Sequence, residues 1–237
     1  MAMVKAFSYG SGTVEIAKLL EYHKVDYLGV AYTDEGITLR EAGVKLPILV
    51  LNPEVETYGE LIAFDLEPEI FNLNRLKLFT RAVQQSDIGR AYPVHLKLET
   101  GMNRLGFTAG DLPALVRELH RNKFLEVRSV FSHLAAADDP AERDFTLGQI
   151  ASFEAMRQQI SQSAEGNFLV HLCNSGGISN YPQAHYDMVR LGIGLYGIGF
   201  NAADRQFLQP VSELQASVSQ IKQINVGDTV SYGRSFV

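Results

Sequence analysis

The feature that most constrains this chain is a repeated alternation. Short apolar runs lie at 2–7 (AMVKAF), 26–32 (DYLGVAY), 46–52 (LPILVLN), 63–71 (AFDLEPEIF), 92–99 (YPVHLKLE), 127–134 (VRSVFSHL), 167–175 (NFLVHLCNS) and 188–197 (MVRLGIGLYG). Between them, stretches with helical periodicity occupy 14–23, 34–43, 55–62, 72–85, 109–122 and 141–161. Strands that alternate with helices pair in parallel through right-handed crossovers. Runs that are apolar nearly throughout fit a parallel sheet covered on its faces. Eight such runs suit a closed (β/α)8 TIM barrel better than an open doubly wound sheet. Local punctuation agrees: Gly43, just past Arg40-Glu41-Ala42, reads as a helix stop. Thr108 or Asp111 reads as the cap of the helix that holds Leu112, Leu115, Val116 and Leu119.

The pattern changes near residue 200. Residues 201–210 (NAADRQFLQP) are loop-like, and 213–233 alternate polar and apolar residues with a Val226-Gly227-Asp228 turn. Such alternation is antiparallel-strand patterning. The expected organisation is a barrel over 1–200 and, over 201–237, a linker with the first strands of an incomplete β-rich C-terminal domain. Two strands bury no core of their own, so the chain is expected to be a fragment.

Composition narrows the partners. A net charge of −6 argues against nucleic acid or an anionic membrane surface. An anionic ligand must then be held by a few local groups. The single cysteine, Cys173, allows no internal disulfide and fits a reducing compartment. No run reaches the roughly 18 consecutive apolar residues of a membrane span, and the N-terminus lacks a secretory pattern. A cytoplasmic location is expected, with no nucleic-acid or membrane partner. The six histidines and one cysteine show no zinc-type spacing, and there is no Walker loop or GxGxxG.

In a barrel of this kind the active site lies at the C-terminal ends of the strands. The polar residues there are Lys5 and Tyr9; Lys97, Glu99 and Arg104; His133; His171, Asn174 and Ser175; and Arg190, followed by Gly192 and Gly194. Singly, each has a bland reading as a snorkelling cation, a packed imidazole or a turn glycine. Together they crowd one rim. A lysine amine forms Schiff bases with carbonyl compounds, which points to pyridoxal phosphate. Ser175 in NSGG and the backbone of LGIG (191–194) offer donors to a phosphate. Arg190 is placed to face the pyridine nitrogen.

Several segments, in order along nearly the whole chain, resemble the alanine racemases, a fold-type III pyridoxal-phosphate family. MVKAFSYGSG (3–12) is similar to the family's cofactor-lysine motif, with Ser11 where histidine is usual. HLKLETGMNRLGF (95–107), FSHLAAAD (131–138), HLCNSGG (171–177), MVRLGIGLYG (188–197) and VSYGRSF (230–236) resemble its later motifs, with Glu99 in place of aspartate and Phe236 in place of tyrosine. The resemblance implies that Lys5 holds pyridoxal 5'-phosphate through a Schiff base and serves as one base. It implies that Tyr9, Ser175, Gly192 and Ile193 bind the phosphate and that Arg190 donates to the pyridine nitrogen. His171 is expected against the cofactor ring, bonded to Tyr232, and His133 near the phenolic oxygen. Arg104 is expected to orient the substrate carboxylate, and Lys97 to be carbamylated. Tyr232 is expected as the second base, delivered to the partner's site in a homodimer.

Racemisation removes a Cα proton on one face and returns one on the other, so two bases on opposite faces are its direct solution. The expected function is interconversion of L- and D-alanine for peptidoglycan. Three other readings remain: a non-catalytic pyridoxal-phosphate carrier, a decarboxylase of the same fold type, and a barrel with no cofactor. The carrier lacks strands like those after residue 212, and the decarboxylases usually place an acidic residue where Arg190 stands. Whether serine is also accepted is left open by the sequence.

Overall fold

A computed structural model describes residues 1–163 and 167–236, the side chain of residue 163 excepted. Seven parallel strands form one sheet in chain order: β1 (Ala2–Met3), β2 (Leu28–Val30), β3 (Ile48–Val50), β4 (Glu67–Ile70), β5 (Tyr92–Lys97), β6 (Leu125–Phe131) and β7 (Leu169–His171). Helices cross between them: α1 (Thr13–Tyr22), α2 (Thr33–Glu41), α3 (Tyr58–Ala63), α4 (Leu73–Ser86), α5 (Leu112–Arg121) and α6 (Arg143–Ser163). A short α7 (Ser175–Asn180) follows β7.

The expected helix ends are built as their residues dictate. Gly43 has φ of +88°, its N–H donates to the Arg40 carbonyl, and Val44 N–H reaches back to Leu39 O. These are the two bonds of a Schellman stop. Both Thr108 N–H and Thr108 Oγ donate to Asp111, closing the turn that leads into α5. Asn72 caps α4 by accepting the Arg75 N–H at 2.8 Å.

The strands are shorter than the apolar runs, and the eighth expected strand is not a regular one. Met188 makes a single parallel bridge to His171 of β7, and Leu191 a single bridge to Ala2 of β1. Leu191 N–H donates to Met1 O at 3.0 Å, and Met3 N–H to Leu191 O at 2.9 Å. The backbone bonding thus returns to the first strand through isolated bridges, giving a TIM-barrel-like arrangement. Beyond Leu191 the chain curls into a 3-10 turn (Ile193–Tyr196), where strand was expected to 197.

Side chains alternate across this sheet. Ala2, Val4, Leu28, Val30, Ile48 and Val50 face the helices and join the large outer core, with Leu76, Phe79 and Val83 of α4 against it. Met1, Met3, Tyr27, Leu49, Phe131 and Met188 form a second, inner core. The inward positions of β4 to β7 also carry polar groups, among them Glu67, His95, Ser129 and His171, and these become the floor of the site.

The expected strands of 213–233 do not form. Residues 208–225 have no regular structure, and Leu214 and Ile221 are 99% and 88% exposed. A Val230–Phe236 antiparallel bridge, a 3-10 turn (Tyr232–Arg234) and a turn closed by Asp228 N–H to Asn225 O appear instead. Alternating residues make a strand only when an edge pairs with them, and the described residues offer none. The loop-like segment contains a short helix, α8 (Ala202–Phe207), capped by Asn201. Val237 lies outside the described residues. No helix among the described residues is long and apolar enough to cross a membrane.

Stability therefore resides in the sheet–helix core. Phe79→Ala should cost about 3–5 kcal/mol in urea unfolding, because the ring is wholly buried. Leu214→Ser should change stability by less than about 0.5 kcal/mol.

Candidate functional site

Lys5 leaves the end of β1 and enters a single left-handed turn. Ala6, Phe7, Ser8 and Tyr9 have φ of 51°, 55°, 50° and 55°. For L-residues this conformation costs about 1–2 kcal/mol each and persists only where the surroundings enforce it. Glu35, near the start of α2, supplies that enforcement. Its Oε1 accepts Ala6 N–H at 2.7 Å, and its Oε2 accepts Ala31 N–H at 2.6 Å and Tyr32 N–H at 3.3 Å. Buried Ser8 donates its N–H to Val4 O, and Gly10 and Gly12 both donate to Phe7 O. The turn brings Lys5 and Tyr9 onto the wall of one cavity, with the Tyr9 ring 4.8 Å from that of Tyr196.

The cavity encloses about 800 Å³ at the C-terminal ends of the strands. Lys5, Tyr9, Lys97, Arg104, His133, Ser175, Arg190, Gly192 and Ile193 all line it. Ser175 Oγ accepts the N–H of Gly192 at 3.0 Å and of Gly194 at 3.2 Å. A Cβ on Gly192 would stand 2.8 Å from Tyr9 Oη. Two hydroxyls and a side-chain-free backbone therefore converge at one end of the cavity. Glu99 accepts the N–H groups of Gly101 and Arg104 and so shapes the loop that presents Arg104. Burial lowers the Lys5 pKa, and the nearby Arg104 guanidinium lowers it further.

Two expected residues stand elsewhere. His171 does not line the cavity; it is wholly buried, stacked on Phe131 with ring centroids 4.6 Å apart. Its Nδ1 lies 2.7 Å from Arg190 Nη1 and its Nε2 lies 2.8 Å from Ser129 Oγ, so neither nitrogen is free for Tyr232. The expectation of His171 against a cofactor ring is corrected: the cavity-facing imidazole is His133. The reason is depth along the barrel: His171 pairs in register with Phe131, the last residue of β6, whereas His133 lies two residues further toward the open end. Tyr232 is 98% exposed in the C-terminal segment and is not part of this chain's cavity.

Arg190 ties the floor together. It is 3% exposed and donates to the carbonyls of Ser132, His171 and Leu172, to His171 Nδ1, and to His133 Nδ1 at 3.2 Å. A guanidinium can only donate, which assigns the tautomers beyond it. His171 accepts at Nδ1 and donates from Nε2 to Ser129, whose hydroxyl donates to His95 Nδ1 at 2.6 Å. His95 Nε2 then donates to Glu67 Oε2 at 2.7 Å, which Tyr27 also reaches at 3.1 Å. Burial pulls the Arg190 pKa down to about 10, so it remains charged at neutral pH. Burial, reinforced by Arg190, holds both His133 and His171 well below the usual imidazole range.

Glu35, Glu67, His95, Ser129 and Glu69 were not among the sequence candidates. For the β4 and β5 residues the signal was the interruption of apolar runs at spacing two: Glu67 and Glu69 in β4, His95 and Lys97 in β5. Polar residues at alternate positions of a buried strand share one face, here the interior. No group of three or more His, Cys, Asp or Glu able to hold a metal occurs among the described residues.

Comparison with known proteins places this geometry. The family described as "Alanine racemase, N-terminal domain" matches residues 1–199. The chain is 35% identical over 241 residues to an alanine racemase of Nostoc sp., covering 100% of this chain and 62% of that protein. It is 37% identical over 250 residues to an alanine racemase of Synechocystis sp., covering 100% of this chain and 64% of that protein. Among solved structures, the alanine racemase of Clostridium difficile 630 matches with a TM-score of 0.86 at 33% identity, over 99% of this chain and 62% of that one. That of Streptomyces lavendulae gives 0.89 at 28% identity, over 99% and 63%. The chain thus spans a little over three-fifths of the length of the relatives it matches.

The buried histidines make the fold sensitive to mild acid. Their folded pKa values lie below the unfolded value of about 6.5, so below that pH the unfolded chain binds more protons. Stability should hold above about pH 6.5 and fall by up to about 1.4 kcal/mol per pH unit for each histidine as pH drops toward the folded values. Urea unfolding between pH 7.5 and 5 measures this, and a flat profile would contradict it.

Proposed function

The chain belongs to the alanine racemase family, and from that premise we propose that its cavity binds pyridoxal 5'-phosphate and serves the interconversion of L- and D-alanine. One observation carries the reading: the Lys5 amine shares a single cavity with the Tyr9–Ser175–Gly192 cluster and with Arg190. The residues fit the cofactor. Tyr9 and Ser175 offer hydroxyls where Gly192 leaves no room for a side chain, as a phosphate requires. The amine whose pKa is lowered by burial stands at the strand end, where an aldehyde is to be captured.

When bound, the cofactor supplies an electron sink that acidifies the substrate Cα proton. The rest is the work of this chain's side chains. Lys5, with its lowered pKa, is a base able to hold and return a proton at Nζ. Arg104 would clamp the substrate carboxylate, for which a guanidinium is the matched donor. Arg190 keeps its own protons, so a ring nitrogen facing it receives a hydrogen bond and not a proton. That choice restrains electron withdrawal and disfavours decarboxylation, where an acidic residue is the usual partner. His133, with Nδ1 taken by Arg190, retains Nε2–H as a donor.

Tyr232 is the proposed second base. Its exposure and its distance in the chain from the barrel support its delivery to the cavity of a second copy in a homodimer. The D-alanine formed would supply peptidoglycan synthesis, and the setting would be cytoplasmic.

Incubation with pyridoxal phosphate should give a visible absorbance band that borohydride removes, leaving the label on Lys5. Lys5→Ala should lose both the label and at least about 100-fold of racemase activity, measured on protein that includes the whole length of the relatives. Tyr232→Phe should slow proton exchange from one alanine enantiomer more than from the other. Full activity in Lys5→Ala, or symmetric exchange in Tyr232→Phe, would rule out the two-base scheme.

A further inference from the structure

Glu69 is a carboxylate that nothing above uses. It is 2% exposed, lies in β4 and lines the cavity. Its Oε1 is buried with no hydrogen-bond partner among the described residues. Proteins rarely leave a buried polar oxygen orphaned, and an ionised one least of all. The complementary charge stands on the next strand. Glu69 pairs in the ladder with His95, and Lys97, two residues on, shares the inward face. Such a diagonal is within reach of two long side chains. Lys97 is itself 6% exposed, with Nζ 4.7 Å over the Phe131 ring. Among the described residues no carboxylate oxygen, Glu69's included, stands within 4.0 Å of its Nζ, so Lys97 makes no close ion pair and Glu69 acts on it across the adjoining strands.

We propose that Glu69 is the fixed counter-ion of Lys97 and keeps it an unmodified ammonium, in place of the carbamate that the family resemblance implies. The charges around Lys97 make its ionisation depend on this one group. Burial lowers the Lys97 pKa, and Arg190 and Arg104 lower it too; Glu69 is the foremost opposing charge, with Glu99 behind it. Glu69, pushed up by burial, is drawn back toward the carboxylate by Lys97, Arg190 and Arg104 together. Without the Glu69 charge, Lys97 faces two guanidiniums in a buried site, and the balance moves further toward its neutral amine. The neutral amine is the form that adds to carbon dioxide. Its lone pair forms the N–C bond, one C=O π pair moves to oxygen, and a proton leaves nitrogen for water. An ammonium has no lone pair to begin this step. The adduct would also set an anion against the Glu69 carboxylate, and like charges disfavour each other's ionised form in such a place.

The test uses the 237-residue chain in carbon-13 bicarbonate near neutral pH, with the carbamate resonance assigned by its loss in Lys97→Met. Wild type should carry no adduct at Lys97, and Glu69→Gln should carry one. In titrations followed at lysine carbon-13 ε positions, the Lys97 pKa should fall by about one unit or more in Glu69→Gln. Glu69→Asp, which keeps the charge, should stay near wild type and separates charge from packing. A Lys97 adduct in the wild type overturns the proposal, as does an unchanged Lys97 titration in Glu69→Gln. If Glu69→Gln does not fold, the wild-type spectrum and the Glu69→Asp titration decide. Neither readout uses turnover, so its failure is distinct from failure of the racemase reading.

Discussion

A buried guanidinium holds the upper barrel in register. Arg190 donates to the carbonyls of His171 and Leu172 at the end of β7 and to that of Ser132 just past β6. These are places where strand pairing stops and backbone acceptors would otherwise be left bare in the core. The charge is dispersed over carbonyl dipoles and two neutral imidazoles, with no carboxylate among the described residues within 4.0 Å. A lysine could not replace it, because a point charge on a flexible stem lacks the planar fork that reaches five acceptors at once. The same fork gives the polar floor its polarity. Since Arg190 only donates, every proton in the His171–Ser129–His95 series is directed toward Glu67. The electrostatics of the cavity are thereby connected to a carboxylate deep in the barrel.

The left-handed turn at Lys5 is the second constraint, and it depends on Glu35. Four consecutive residues at positive φ, none of them glycine, are held by backbone bonds and by one carboxylate from α2. That carboxylate also takes the N–H groups of Ala31 and Tyr32, at the strand–helix junction after β2. The reactive amine is thus positioned by two neighbouring βα connections together, not by its own strand alone.

Much of this was legible in the sequence, for physical reasons that differ by element. Helix ends were readable because capping is local: Gly43 and the Thr108–Asp111 pair carry their instructions within four residues. The parallel order of β1 to β7 followed from the alternation, since only crossovers join such runs. What failed was whatever depends on distant partners. The run 188–197 looked like a strand, yet only Met188 and Leu191 bridge neighbours before the chain turns at Gly192. The alternation at 213–233 looked like strands, yet an edge to pair with is a property of other residues. His171 and His133 both stood at strand ends in the sequence, and only the register between β6 and β7 shows that His133 stands two residues nearer the cavity than the packed imidazole. The hold of Glu35 on the Lys5 turn was invisible because its bond to the Ala6 N–H spans 29 residues.

The balance of charge in the cavity is the last consequence of this arrangement. The chain as a whole carries −6, yet Lys5, Lys97, Arg104 and Arg190 meet on one wall against only Glu69 and Asp138. A local positive excess inside an acidic protein selects small anions at close range and does not draw polyanions to the surface. The four cations are not equivalent. Arg190 commits Nη1 and Nη2 to carbonyls and imidazoles, and Lys97 has Glu69 on the adjoining strand. Lys5 and Arg104 are left as the cations whose charge faces outward into the cavity unspent. A small anion that enters the cavity therefore meets its uncommitted positive charge at Arg104 and Lys5. Neutralising one corner of a cavity can orient what enters it as effectively as charging another.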